Sequence, residues 1–178
     1  MNSKLNKGFI QLYTGNGKGK STAAIGQAVR AAGCGLKTYI VQFMKEYPYN
    51  ELNSLKNLSA WITVEQVCKD DFVFKKVNPP QEEIDKANDA LTKAKDKMCS
   101  GEFDIIILDE VCVSIYFGLL KTEDVLNFLN SKPENVELIL TGRYAPQEII
   151  DRADLVTEMK EIKHYYRKGV LARRGIES

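Results

Sequence analysis

The amino-acid sequence predicts an α/β fold in which a mainly parallel sheet is flanked by helices. Short apolar runs alternate along the chain with amphipathic stretches, which is the order of elements that such folds require. The apolar runs are almost continuous, and this composition suits strands that helices cover on both faces. A glycine-rich turn joins the first apolar run to the first helical stretch. At 178 residues the chain favours a single domain over residues 1–178, and we expect residues 1–8 to form a flexible N-terminal segment.

Six strands and two clear helices are predicted along the chain. Apolar runs predict the strands, over residues 9–13, 36–43, 61–67, 103–108, 136–141 and 154–159. A helix is predicted over residues 23–30, directly after the glycine-rich turn. The clearest helix is predicted over residues 80–100, where apolar side chains recur every three or four residues: Ile84, Ala87, Leu91, Ala94 and Met98. Residues 45–57 and 70–80 are predicted to be mobile connections.

Charge and cysteine content exclude several classes of protein. There are 25 lysine and arginine residues against 24 aspartate and glutamate residues, so the net charge is +1. Proteins that neutralise nucleic-acid phosphates normally carry a basic excess, so we expect no nucleic-acid partner. The cysteines show no paired ligand spacing, which predicts reduced, mostly packed thiols: Cys34, Cys68, Cys99 and Cys112. Because residues 1–7 are polar and no apolar run reaches about 18 residues, we expect a cytoplasmic protein without a membrane partner.

The glycine-rich turn over residues 14–22 is predicted to bind a polyphosphate. Its position between a strand and a helix is the setting of a phosphate-binding loop (P-loop). Glycines let several backbone N–H groups point at one anion, and the following helix adds the positive end of its dipole. Lys20 supplies a charge, and the Ser21 hydroxyl can bind Mg²⁺. The candidate nucleotide-binding residues are Thr14, Gly15, Asn16, Gly17, Lys18, Gly19, Lys20, Ser21 and Thr22.

One position departs from the usual pattern of such loops. Counting back from Lys20 places Thr14 where the first glycine of G-x-x-x-x-G-K-[ST] belongs. The alternative is a chance cluster of glycines in a surface turn, which is disfavoured by three alternating glycines, two lysines and a hydroxyl pair. The substitution therefore concerns how the phosphate is held more than whether it binds.

Two further strands end in charged side chains. The predicted strand 103–108 is followed by Asp109 and Glu110, and an acid at the end of a neighbouring parallel strand binds Mg²⁺ in P-loop proteins. The alternative is a buried strand that ends at a polar turn, and spacing does not decide which carboxylate contacts the ion. Arg143 follows strand 136–141, where it could meet a ligand at the carboxyl edge of the sheet or form a structural salt bridge.

Together these segments resemble the ATP:cob(I)alamin adenosyltransferases (corrinoid adenosyltransferases) of the phosphate-loop type. The resemblance rests on residues 14–22, 30–33, 41–43, 108–110, 141–143, 153–159, 163–164 and 175–177. Threonine in place of the first loop glycine is part of that family's pattern, so the irregular loop supports the resemblance. It implies a P-loop NTPase (RecA-like) architecture.

The resemblance also implies the reaction and roles for individual residues. In this family cobalt(I) of a reduced corrinoid attacks the ribose C5′ of ATP, which releases triphosphate and forms adenosylcobalamin. Lys20 and Mg²⁺ would stabilise the leaving group, with Ser21 and Glu110 at the metal. Arg30 matches a nucleotide contact, although an exposed helix charge is the alternative. A homodimer and a reduced flavoprotein as electron donor are further implications.

A second set of residues is implied on the corrinoid side. Family members carry an aromatic wedge that displaces the lower ligand of cobalt, and Phe72 and Phe74 match it. From the residues alone, the alternating Phe-Val-Phe is better explained as a strand with aromatics in the core. His164 is expected to be structural or peripheral, because the attack on C5′ involves no proton transfer.

Two other functions remain open. A small-molecule kinase with the same loop would release ADP, and a RecA-like ATPase would hydrolyse ATP when stimulated by nucleic acid. The missing first glycine weighs against the kinase, and the near-neutral charge weighs against the ATPase.

Overall fold

The computed structural model describes residues 4–45, 49–75 and 77–177, and its core is a six-stranded parallel sheet. The strand order is β3-β2-β4-β5-β1-β6, and every pair of neighbours is parallel. The strands are β1 Ile10–Thr14, β2 Thr38–Phe43, β3 Ile62–Val67, β4 Ile105–Asp109, β5 Glu137–Thr141 and β6 Leu155–Glu158. Each lies within two residues of its predicted bounds, so the α/β prediction is confirmed.

The helices follow the strands in alternation. Their bounds are α1 Lys20–Ala32, α2 Glu51–Leu55, α3 Asp71–Lys75, α4 Gln81–Cys99, α5 Val111–Tyr116, α6 Thr122–Asn130 and α7 Gln147–Arg152. Two short 3-10 helices cover Lys56–Leu58 and Tyr165–Lys168. The prediction of a helix over residues 80–100 is confirmed by α4. The predicted connections 45–57 and 70–80 contain α2 and α3, and within them residues 46–48 and 76 lie outside the described residues.

The strand interpretation of the Phe-Val-Phe segment is wrong, because these residues belong to helix α3. An alternation of three residues is too short to separate a strand from one turn of helix. Asp71 lies in the first turn and Lys75 in the last, which is the charge arrangement that the helix dipole favours.

Helices cover both faces of the sheet. On one face α1 packs its small residues Ala24, Ala28 and Ala31 against Ile40 and Ile107. On the other face α4, α5, α6 and α7 bury a larger apolar cluster around residues of β1, β2, β4 and β5. The residues of β2 and β4 are buried throughout, as the continuous apolar runs predicted. A ligand is therefore excluded from the faces of the sheet and must bind at the ends of the strands.

The strand order creates an opening at the carboxyl edge. The chain leaves β1, crosses β5 and β4, and continues in β2, so connections from neighbouring strands diverge there. Ligands of open parallel sheets bind at this kind of switch in strand order.

Three further features concern the N-terminal segment, the cysteines and the polarity of the helices. Residues 1–3 lie outside the described residues, whereas the Gly8 N–H donates to Glu134 O at 2.8 Å and Leu5 packs beside the α1 cluster. Among the described residues no disulfide joins any of the four cysteines, and only two of them are buried, so the prediction of mostly packed cysteines fails for the exposed pair: Cys34 and Cys99. Across the described ranges, the helices are too short or too polar to cross a membrane.

Candidate functional site

A cavity of about 870 Å³ opens at the carboxyl edge of the sheet. It is lined on one side by residues 17–22 of the loop and the start of α1, and on others by Glu110, Arg143 and residues 175–177. This volume lies in the range of cavities that hold small-molecule ligands and cofactors. The structure thus brings the predicted P-loop, the end of β4 and the end of β5 to one place.

The loop has the backbone shape that its glycines predict. Gly19 has a φ of 119°, a left-handed conformation that side chains other than glycine rarely adopt, and α1 begins at the next residue. A Cβ atom on Gly17 would lie 2.6 Å from Met159 O, and the Gly17 N–H donates to that same oxygen at 2.6 Å. The loop is therefore packed from behind by the segment that follows β6.

The first residues of the motif support the loop instead of lining the cavity. Thr14, Gly15 and Asn16 are not among the lining residues. The Thr14 hydroxyl donates to Gly142 O at 2.9 Å, and Gly142 N donates to Tyr13 O at 3.2 Å. Threonine in place of the first glycine thus ties the end of β1 to the turn after β5.

Lys20 lies folded into the loop. Its ammonium donates to Gly15 O at 2.8 Å and to Gly17 O at 2.7 Å, and the residue is only 6% exposed. Burial lowers the pKa of the Lys20 ammonium, and the charge of Glu110 acts in the opposite direction. A buried cation whose hydrogen bonds, among the described residues, go to neutral carbonyls strongly attracts an anion that enters the loop.

The two carboxylates at the end of β4 have different surroundings. Asp109 is 1% exposed and accepts hydrogen bonds from Thr141 Oγ1 at 2.6 Å and from Gln42 Nε2 at 3.3 Å. Glu110 lines the cavity, and its backbone φ of 61° is unusual for a residue with a side chain. Burial, followed by the charge of Asp109, raises the pKa of the Glu110 carboxyl. Glu110 is therefore the one of these two carboxylates that lines the cavity, whereas Asp109 is buried beside it.

Lys45 is a functional candidate that sequence reasoning missed. Its ammonium donates to Asp109 Oδ2 at 2.7 Å and to Ser21 Oγ at 3.0 Å, and the residue lines the cavity while only 9% exposed. Burial opposes its charge most strongly, but the charge and hydrogen bond of Asp109 together with the charges of Glu110 and Glu51 raise the pKa of Lys45. The available signal was its position, because Lys45 follows the carboxyl end of β2.

The two predicted arginines lie in different places. Arg143 lines the cavity, and none of the described residues forms an ion pair with it. The structural salt bridge proposed as its alternative role is thus not seen in the described ranges. Arg30 is exposed in the last turn of α1, about 15 Å along the helix from Lys20, and is not a lining residue. In this chain Arg30 does not meet the cavity.

The predicted aromatic pair is only partly placed at the cavity. Phe72 is 4% exposed and packs edge to face on Phe117, with ring centroids 6.3 Å apart. It does not line the cavity, whereas Val73 and Phe117 do. The side chain of Phe74 lies outside the described residues. Successive residues of a helix point about 100° apart, so α3 can turn Phe72 to the core and Val73 to the cavity.

The C-terminal segment closes another side of the cavity. Lys18 donates to Ile176 O at 2.7 Å, and its ammonium lies 4.0 Å from a carboxylate oxygen of Glu177. Arg173 and the Tyr165 hydroxyl also contact the Glu177 carboxylate. His164 lines the cavity, and its Nδ1 accepts a hydrogen bond from the Tyr166 N–H at 3.1 Å and caps the 3-10 helix, so its structural or peripheral role stays a prediction.

Comparisons with known proteins identify the family to which the chain is similar. The sequence model of the family described as "ATP:corrinoid adenosyltransferase BtuR/CobO/CobP" matches residues 6–178. A corrinoid adenosyltransferase of Escherichia coli (strain K12) is 34% identical over 172 residues, which are 96% of this chain and 86% of the relative. The corrinoid adenosyltransferase CobA of Salmonella typhimurium is 35% identical over 173 residues, with the same coverage of 96% and 86%.

A likeness among solved structures concerns the fold alone. The flagellar accessory protein FlaH from Methanocaldococcus jannaschii superimposes with a TM-score of 0.60 at 17% sequence identity. The match covers 86% of this chain and 72% of that one.

Proposed function

The chain belongs to the ATP:corrinoid adenosyltransferase family, and from this membership we propose how its residues carry out the reaction. The protein transfers the adenosyl group of ATP to a corrinoid. One observation supports the placement of the nucleotide: the P-loop, Glu110 and Arg143 line the same cavity. We place the triphosphate on residues 17–22 and the corrinoid against the side formed by Val73 and Phe117.

Lys20 is the principal electrostatic group in this proposal. When triphosphate enters the loop, the ammonium exchanges its bonds to Gly15 O and Gly17 O for phosphate oxygens. In the reaction cobalt(I) supplies the electron pair for the new bond to C5′, and the C5′–O bond breaks with its electrons going to the triphosphate. Lys20, the loop N–H groups and Arg143 stabilise the charge that grows on this leaving group. No proton moves, so the site requires no general base.

The donor set also fits Mg²⁺. The Ser21 hydroxyl and the Glu110 carboxylate are hard oxygen ligands of the kind that Mg²⁺ prefers. The Lys45 ammonium, which lies between Ser21 Oγ and Asp109, shows that a cation can bind there. No group of three or more metal-binding side chains exists within the described part of the chain. This suits an ion that keeps several waters and binds mainly through phosphates. Ser21 and Glu110 would hold the ion, which would neutralise phosphate charge.

Replacing Glu110 with glutamine is expected to raise the Mg²⁺ concentration needed for half-maximal activity by about tenfold or more. Even an outer partner of a metal ligand contributes about that much to affinity. The measurement is initial rate against Mg²⁺ concentration, with Glu148→Gln on the exposed surface of α7 as the control. An unchanged Mg²⁺ dependence would remove Glu110 from the metal site.

Replacing Phe72 with alanine is expected to slow the reaction that starts from cobalt(II) more than the reaction with preformed cobalt(I), because Phe72 packs on Phe117, which lines the cavity. The wedge role concerns the reduction, because excluding the lower ligand makes cobalt(II) easier to reduce. Both rates are measured beside urea unfolding, since Phe72 is also a core residue. Val73→Ala, which alters the lining at the same turn, is the companion variant. Equal losses in the two assays would leave Phe72 with a packing role only.

The products test the proposed function directly. The protein is incubated with ATP, Mg²⁺ and chemically reduced cobalamin, and the phosphate products are separated. Triphosphate and an adenosylated corrinoid are expected in equal amounts. ADP without triphosphate would indicate a kinase, and phosphate release stimulated by nucleic acid would indicate a RecA-like ATPase.

The proposal also includes two partners. A reduced flavoprotein would supply the single electron that converts cobalt(II) to cobalt(I). A homodimer is supported by β6, an edge strand of which every residue is exposed, including the apolar Leu155 and Val156. Light scattering of the purified protein would measure its mass in solution.

A further inference from the structure

Lys45 occupies an unusual position for a lysine. Two residues beyond the end of β2, its side chain enters the carboxyl edge of the sheet and is only 11% exposed. The ammonium contacts Asp109 Oδ2 at 2.7 Å and Ser21 Oγ at 3.0 Å, and it lies 5.3 Å from the centre of the Tyr49 ring. It is thus a cation bound by the loop hydroxyl and by a carboxylate at the end of β4.

These contacts overlap with the proposed metal site. A magnesium ion lies about 2.0–2.1 Å from its oxygen ligands, so an ion on Ser21 Oγ would stand against the Lys45 ammonium. Two cations so close in a buried site repel each other strongly. The lysine stem has four flexible carbons, so the ammonium can move, whereas the Asp109 carboxylate is fixed by Thr141 and Gln42.

We propose that Lys45 is a built-in counter-ion that occupies the metal position in the nucleotide-free protein and is displaced by the Mg²⁺ that arrives with ATP. This inference rests on the magnesium site of the proposed function. A metal ion without nucleotide must compete with the ammonium for the same oxygen atoms, so it binds weakly. The negative charge of a nucleotide stabilises both Mg²⁺ and the Lys45 ammonium, because Lys45 lines the cavity and can turn toward the phosphates. Metal and nucleotide therefore bind together.

The first test measures metal binding without nucleotide. Mn²⁺ replaces Mg²⁺, and electron paramagnetic resonance counts the free ion in titrations of the wild type and of Lys45→Met. Methionine removes the charge and keeps an unbranched side chain that is shorter by one atom. We expect the variant to bind Mn²⁺ at least about tenfold more tightly than the wild type. Lys93→Met is the matched control, because Lys93 also pairs with a carboxylate, Glu65, at 2.7 Å but on the surface.

A second readout uses the thermal midpoint of unfolding. Lys45→Met leaves Asp109 buried without its cation, so the variant should melt at a lower temperature than the wild type. Added Mn²⁺ or Mg²⁺ should raise its midpoint more than that of the wild type, because the metal replaces the missing charge. If the methionine variant does not fold, Lys45→Gln, which keeps a neutral donor for Asp109, is measured in the same way. A variant that folds and gains neither affinity nor stability from metal overturns the inference.

One comparison separates this inference from the proposed function. If the wild type fails to bind Mn²⁺ even with ATP present, the proposed metal site and the inference both fail. If the wild type binds Mn²⁺ with ATP, but the lysine variants bind the free ion no more tightly than the wild type does, only the inference fails. Neither result depends on measuring adenosyl transfer.

Discussion

Replacing Lys20 with alanine is expected to slow adenosyl transfer by about 10²- to 10³-fold. The loss corresponds to ~3–4 kcal/mol of transition-state stabilisation, the range found when one donor to a developing anion is removed. Lys20 is held inside the loop by two carbonyls, so its charge is placed before the reaction begins. The rate constant is measured in single turnovers with preformed cobalt(I), with triphosphate release as the readout.

The distribution of the loss between kcat and KM tests the assigned role. Negative charge grows on the triphosphate as the C5′–O bond breaks, so Lys20→Ala should lower kcat more than it raises KM. A variant with normal kcat and raised KM would show that Lys20 binds ATP without favouring the reaction. Lys93→Ala, on the surface of α4, controls for the loss of one lysine. Lys20→Arg separates charge from geometry, because arginine keeps the charge but spreads it over a larger planar group.

The phosphate loop could be predicted from sequence because its determinants are local. The loop lies between a strand and a helix that are close in sequence, and its glycines and Lys20 are consecutive with them. The conformation of each segment therefore depends mainly on its own residues. The predicted strands agree with the structure for the same reason, since a buried parallel strand is a continuous apolar run.

Other parts of the site depend on the order of strands in the sheet, which cannot be predicted from a local sequence pattern. Lys45 and Asp109 are distant in sequence and meet because β2 lies beside β4, with Gln42 in register with Asp109. From the sequence alone, Lys45 is indistinguishable from an ordinary polar residue in the loop after β2. The separate roles of Asp109 and Glu110 also follow from the sheet, because Thr141 on β5 fixes one carboxylate and leaves the other at the cavity.

Helical geometry explains two further differences. The family resemblance assigned Arg30 to the nucleotide, but the length of α1 takes Arg30 away from the cavity of its own chain. Phe72 matched the aromatic wedge, yet α3 turns it toward Phe117 and presents Val73 to the cavity. A motif match fixes which residue type occurs, whereas the rotation of a short helix fixes where that residue points.

The C-terminal segment shows how a recognised motif can lack a predicted position. Residues 175–177 contributed to the resemblance without an assigned role. In the structure they line the cavity beside the loop, and Ile176 O accepts a hydrogen bond from Lys18. This contact joins residues at opposite ends of the chain, so only the folded structure reveals it.

Replacing Asp109 with asparagine is expected to lower the free energy of unfolding by about 3–5 kcal/mol. Removing one partner of a buried ion pair leaves the other charge without compensation, and that is the usual cost. Lys45 would remain charged, and only the carboxylates of Glu110 and Glu51 would then stabilise its ammonium. Urea denaturation at neutral pH measures the loss, with Asp85→Asn on the exposed side of α4 as the control.

A double-mutant cycle identifies the origin of this loss. If the ion pair is responsible, Asp109→Asn combined with Lys45→Met should cost less than the sum of the two single variants, because neither charge then remains unpaired. The hydrogen bond from Thr141 can be kept by asparagine, so the remaining loss would report the packing around that hydroxyl. Additive losses would show that Asp109 acts through Thr141 and Gln42, and that Lys45 is stabilised independently of the carboxylate.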